Sequence, residues 1–124
     1  MAAQLISIAP QFLVVDLEAA CAFYVEQLGF RVAFIHGGFY AAVERDGVTV
    51  HLKLWDNVDL SREAKQHEDH LDAYIGVEDV EALYTEYQGR NVTFAQPLEL
   101  KPWGAREFVV WDNSGYILYF GQPG

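Results

Sequence analysis

The stretch "DLEAACAFYVEQLGFRVAF", Asp16 to Phe34, decides how the rest of the chain is read, because it returns as "DVEALYTEYQGRNVTF", Asp79 to Phe94. Each copy has an acidic-apolar start, an amphipathic run, a glycine and a short segment ending in Phe. Self-similarity on this scale marks a repeated supersecondary unit. The echo continues downstream. "RDGVTVHL" and "NSGYILYF" both set a turn dipeptide, Asp46-Gly47 or Ser114-Gly115, before a segment alternating with period two. In this register His51 matches Tyr119 and Tyr40 matches Phe108.

Each half therefore reads as strand, helix, then three strands. In the first, Gln11 to Val15 precedes a helix with the stripe Leu17, Cys21, Tyr24, Val25 and Leu28, stopped at Gly29. Strands follow at Arg31 to His36, Phe39 to Arg45 and Val48 to Trp55. In the second, Asp72 to Val77 leads into a helix with the stripe Val80, Leu83, Tyr84 and Tyr87. Its strands are expected around Asn91 to Ala95, Arg106 to Asp112 and Tyr116 to Gly121. The polar "DNVDLSREAKQHEDH" between the halves is expected to carry a short helix near Ser61 to Gln66. The chain is thus expected to be one α+β domain, 1–124, of two βαβββ modules, about 1–58 and 59–124. Each module would be a curved mixed sheet with a helix on one face and a concave cup on the other.

The chain has 124 residues and is 52% apolar, enough for a core without covalent staples. Eight basic against eighteen acidic side chains give a formal charge of −10. That balance argues against nucleic acid and anionic membranes as partners, since both need clustered Lys and Arg. The single Cys21 falls on the first helix's apolar stripe, where a buried thiol is expected. "MAAQLISIAPQFLVVD" lacks a basic n-region and no apolar run is long enough to span a bilayer, so a soluble cytoplasmic protein is expected.

Alternation in "VTVHLKLW" puts Thr49, His51, Lys53 and Trp55 on one face. With the repeat, the concave face is expected to carry Phe34, Tyr40, His51, Lys53, Trp55, Tyr74, Phe94, Phe108 and Tyr119. Rings offer flat area at low entropy cost, which suits a planar guest. Phe94 and Phe108 suit core filling as well as ligand contact. Trp103, between Pro102 and Gly104, is a candidate lid contact, and Trp111 is assigned to the helix side as core. Arg106 and Glu107 are left out of the site, a salt-bridge or turn role serving equally well. Gly37-Gly38 is a hairpin signal without the Lys-Ser/Thr of a phosphate loop, and no serine sits in a nucleophile elbow. Nothing in the sequence speaks positively for catalysis.

"DLEAACAFYVEQLGF", "VERDGVTVHL" and above all "PWGAREFVVWDNSG", Pro102 to Gly115, resemble the vicinal oxygen chelate superfamily, the glyoxalase/bleomycin resistance/dioxygenase proteins. The Pro-Trp-Gly…Arg-Glu-Phe…Asp…Gly spacing is most similar to the bleomycin-resistance branch. That resemblance implies a homodimer enclosing two clefts, with an N-terminal strand exchanged at Pro10, and clasping aromatics at Phe34, Tyr40 and Tyr74. It implies a protein that sequesters a small-molecule antibiotic without turning it over, with no cofactor. In the family's metalloenzymes the ligand positions look like Ala9, His51, Asp72 and Tyr119 here. Only His51 and Asp72 are ordinary ligands, with Gln11 or His70 reached by one alignment slip. The alternative is therefore a metal-dependent glyoxalase- or dioxygenase-like enzyme. The cluster "HEDH", His67 to His70, lies in the polar connector without a third ligand and is taken as solvated surface. Lys53 would repel a cationic guest, so a planar phenolic or quinone-like natural product is favoured over bleomycin itself.

Overall fold

A computed structural model of the chain describes residues 3–55 and 71–124. Module one runs β1 (Gln11–Val14), α1 (Leu17–Glu26), β2 (Arg31–His36), β3 (Tyr40–Arg45) and β4 (Val48–Leu54). Module two repeats it as β5 (Ala73–Gly76), α2 (Val80–Gly89), β6 (Phe94–Leu100), β7 (Arg106–Trp111) and β8 (Ile117–Gln122). The sheets are ordered β1-β4-β3-β2 and β5-β8-β7-β6, each with one parallel pair next to antiparallel hairpins. The fold is α+β, with two open four-stranded mixed sheets. The short helix expected near Ser61 to Gln66 and the His67 to His70 cluster lie outside the described residues.

Both helices start on the aspartate that opens the repeat. Asp16 accepts from the Ala19 amide at 2.9 Å and Asp79 from the Ala82 amide at 3.1 Å, satisfying an amide that the first turn leaves without a partner. Gly29 ends the first helical segment with φ +77°, a backbone that a side chain resists.

The helices are held between the modules by contacts that cross from one to the other. Tyr87 donates to the Leu28 carbonyl at 2.8 Å, and Arg45 grips both oxygens of Glu86 at 2.9 Å and also the Leu28 carbonyl. Tyr24 is fully buried and donates to Asp112, whose other oxygen caps the amides of Ser114 and Tyr116. Phe12 stacks on Tyr116 at 4.2 Å, and Tyr116 donates to the Leu13 carbonyl. The resulting core is one cluster shared by both modules.

The hydrogen bonds from Arg45 lower the Glu86 pKa below its ordinary 4.5, more than burial raises it. Stability from this pair is therefore present above pH 4.5 and lost as pH falls through the lowered folded value. Burial raises the Asp112 pKa, so ionising that group works in the opposite sense. Glu86→Gln should accordingly flatten the acid limb of a stability-against-pH curve measured by denaturant unfolding; an unchanged limb would show that the pair does not govern it.

Three expectations are corrected. Strand β6 runs on through Pro97 to Leu100 instead of stopping near Ala95. It is the edge strand and its register shifts around Gln96, the setting in which a sheet tolerates a proline. Phe108 is fully buried on the helix side, at 5.2 Å from the rings of both Tyr84 and Phe120, with Phe94 beside it. Neither Phe108 nor Phe94 faces the cup. Trp111 is in turn on the face away from α2, because it alternates with Phe108 and Val110.

One slipped residue explains the swaps of Phe108 and Trp111, whereas Phe94 departs from its repeat counterpart Phe34 at the register shift between Val32 and Phe34 in β2. Tyr40 lies opposite Lys53, two beyond His51, whereas the residue opposite Gly121, two beyond Tyr119, is Glu107. Tyr40 thus corresponds to Glu107, not Phe108. A single step in a period-two strand sends every side chain to the other face.

Candidate binding site

The face of the first sheet away from α1 gathers three of the expected residues into one cluster. The Phe34 and Tyr40 rings lie parallel with centroids 6.2 Å apart, and His51 sits edge-on to both at 6.0 and 5.6 Å. Tyr40 donates to Gln11 Oε1 at 2.8 Å and lies 2.9 Å from His51 Nδ1. A phenol has one proton, so with that proton on Gln11 its oxygen is left to accept from Nδ1–H of His51. Lys53 stands across from Tyr40 and has no acidic partner among the described residues. Trp55, just past the end of β4, and Phe34 are 47% and 45% exposed, so both leave ring surface open.

The second sheet answers with a hollow of about 300 Å³. Tyr74, Tyr119 and Trp103 line it together with Gln96, Lys101 and Glu107. Trp103 rides at 70% exposure on a tight turn closed by the Lys101 amide to the Ala105 carbonyl and the Gly104 amide to the Lys101 carbonyl. Lys101 pairs with Glu99, which raises its pKa. Tyr74 donates to Glu107 Oε2 at 3.0 Å; burial, then that bond, raises its pKa and keeps the phenol protonated.

Glu107 is the residue that sequence reasoning left out. The residue is 4% exposed, and Tyr74 is the sole side-chain hydrogen-bond partner of its carboxylate among the described residues. Arg106, next to it, turns the other way to Glu81. The signal was present in the repeat: strand alternation opposite Phe108 places Glu107 in the cup once Phe108 is assigned to the core. The two modules even share a plan. In the first a β3 tyrosine bonds a β1 side chain, and in the second a β5 tyrosine bonds a β7 side chain, with donor and acceptor strands exchanged. Gly121 makes room for this. A Cβ there would lie 2.0 Å from the Tyr74 hydroxyl.

The strand partners of His51 and Tyr119 are Gln11 and Tyr74. Ala9 and Asp72 instead precede their strands, and Asp72 accepts from the Ile117 amide at 2.8 Å. The corners that would converge on an ion are thus an amide, an imidazole and two phenols, a poor set for a divalent metal. No group of three or more His, Cys, Asp or Glu could hold a metal ion among the described residues. No helix among them is long and apolar enough to cross a membrane.

Residues 7–120 match the Glyoxalase/Bleomycin resistance protein/Dioxygenase superfamily, and the chain belongs to that family. Among solved structures it is similar to the bleomycin-binding protein of bleomycin-producing Streptomyces verticillus, complexed with copper(II)-bleomycin. That likeness has 26% identity over 99% of both chains and a TM-score of 0.74. It also resembles TioX from Micromonospora sp. ML1, with 21% identity over 94% of this chain and 98% of that one, TM-score 0.74. A bleomycin resistance determinant encoded on transposon Tn5 shares 18% identity over 96% and 98%, with a TM-score of 0.79. No curated protein matches the sequence.

Proposed function

We propose that this chain is a non-catalytic antibiotic-binding protein that acts in the cytoplasm by stoichiometric capture. The observation that carries the reading is the pair of ring-lined faces: Phe34, Tyr40 and Trp55 on one sheet, Tyr74, Trp103 and Tyr119 on the other. Each has fixed polar groups beside it, which is the composition of a small-molecule pocket. The Streptomyces verticillus relative, which holds copper(II)-bleomycin, supports it. Lys53 and His51 on one face and Glu107 on the other suit a planar natural product that carries both an acidic or phenolic group and a hydrogen-bond donor.

The working form is a homodimer with exchanged N-terminal arms. Leu5, Ile6 and Ile8, ahead of Pro10, are 103%, 93% and 96% exposed, and an apolar arm held in water gains from a partner's surface.

Tryptophan fluorescence quenching by a panel of DNA-damaging antibiotics tests the reading. Saturable quenching at one guest per chain is expected. Tyr74→Ala or Trp55→Ala should weaken it several-fold, by the ~0.5–1.5 kcal/mol that an aromatic contact adds beyond burial, with the circular dichroism spectrum unchanged. Unaltered affinity in both variants rejects the assigned wall. Stoichiometric Ni, Zn, Fe or Mn in protein purified without chelator would favour a metal-dependent enzyme instead.

A further inference from the structure

The two modules meet along two junctions related by the internal repeat, and the junctions are filled differently. At one, Phe12 of module one stacks on Tyr116 of module two at 4.2 Å, and the Tyr116 hydroxyl reaches the Leu13 carbonyl. Register gives the counterparts. Gln11 and His51 correspond to Tyr74 and Tyr119, so Phe12 corresponds to Ile75, Leu13 to Gly76 and Tyr116 to Val48. Two aromatic rings are therefore replaced by two aliphatic side chains.

The volume they would have filled is open. A cavity of about 480 Å³ lies there, with Ile75, Gly76 and Val48 among its lining residues. Phe30, Leu83, Tyr87 and Phe120 complete an apolar floor. Its size is that of a small-molecule site. It is distinct from the ring-lined faces: Ile75 and Phe120 alternate with Tyr74 and Tyr119 and face the helix side.

The rim is charged with one sign in excess. Asp46, Glu78, Asp79 and Glu86 stand around the cavity with Arg45 as the one cation. Arg45 is committed, held by both Glu86 oxygens and the Leu28 carbonyl. Asp79 caps the first turn of α2, and the Val80 amide is taken by Gln122, so that helix end offers little to an anion. Asp46 touches Arg45 only at 3.6 Å with a side chain that is 88% exposed, and Glu78 has no partner among the described residues.

We propose that this junction cavity is a second binding site, for a small aromatic amine whose ring takes the place of the missing Phe12–Tyr116 pair and whose ammonium meets Asp46 and Glu78. The site is independent of the antibiotic reading.

The test is an amide-resolved NMR titration of the full chain with 2-phenylethylamine, repeated with 3-phenylpropionate as the charge-reversed probe. The amine should shift amides at 45–48 and 75–79, and the propionate should bind clearly more weakly. Val48→Tyr restores the ring found at the other junction and should abolish the response. Asp46→Asn with Glu78→Gln should weaken the amine about threefold or more, the scale of exposed charge contacts, without weakening the propionate. The proposal is overturned by shifts confined to the Tyr74 and Trp103 region or by equal binding of both probes. It is also overturned by the absence of any response, as when a partner's Leu5, Ile6 and Ile8 arm fills the cavity. If Val48→Tyr does not fold, the double charge variant decides, and unchanged amine affinity there rejects the site.

Discussion

Phe108→Ala is expected to lower the unfolding free energy by about 3–5 kcal/mol, the cost of emptying a phenylalanine site in a packed core. The residue is wholly enclosed, stacked near-parallel on Phe120 and edge-on to Tyr87 and Phe94. No backbone shift of one element can close a hole bounded by a helix and two strands. Urea unfolding measures the loss, and guest affinity of the fraction still folded should be near that of the parent. A Phe108 variant with full stability and lost binding would return this ring to the cup.

The second large effect is expected at Gly121. Gly121→Val places a branched side chain where the Tyr74 phenol now lies: its first added carbon would be 2.0 Å from the Tyr74 hydroxyl and 3.2 Å from Glu107 Cγ. Tyr74 is half exposed and swings aside, so the fold should survive with a modest change in melting temperature. The ring contact and the Tyr74–Glu107 bond would go together. Affinity for whichever antibiotic the panel identifies should fall at least several-fold, since the displaced ring costs the same ~0.5–1.5 kcal/mol as in Tyr74→Ala and the valine also narrows the hollow. Gly121→Val with parental affinity would remove module two's hollow from the site.

Much of this architecture is legible in the sequence because the repeat supplies an internal alignment. Asp16 and Asp79 open both helices, Gly29 closes the first helical segment, and the alternation of "VTVHLKL" puts His51 and Lys53 together away from the helix. What could not be read was register. The strand holding Phe108 and Glu107 has no alternation to pin it: Glu107, Phe108, Val109 and Val110 are all buried. A strand covered on both faces carries no period-two signal. The slip hid Glu107, and it also sent Trp111 to the wrong side. Strand β6 escaped for another reason, since Pro97 reads as a stop unless the strand is known to lie at an edge. Two of the four chelating corners implied by the resemblance, Ala9 and Asp72, fall two residues short of Gln11 and Tyr74, the strand partners of His51 and Tyr119, because the resemblance carries no strand register.

The crossed ties between the modules carry one more consequence. Tyr24 finds its carboxylate acceptor 88 positions away, Tyr116 its carbonyl 103 positions away, and Arg45 its carboxylate beyond the connector. A fragment ending at Trp55 would keep Tyr24, Arg45 and the Leu13 carbonyl and lose the Asp112, Glu86 and Tyr116 groups that they meet, so each half is expected to need the other to fold despite having a complete set of strands and a helix. Cleaved between the halves, the chain is expected to recover its shape only when both pieces are present together.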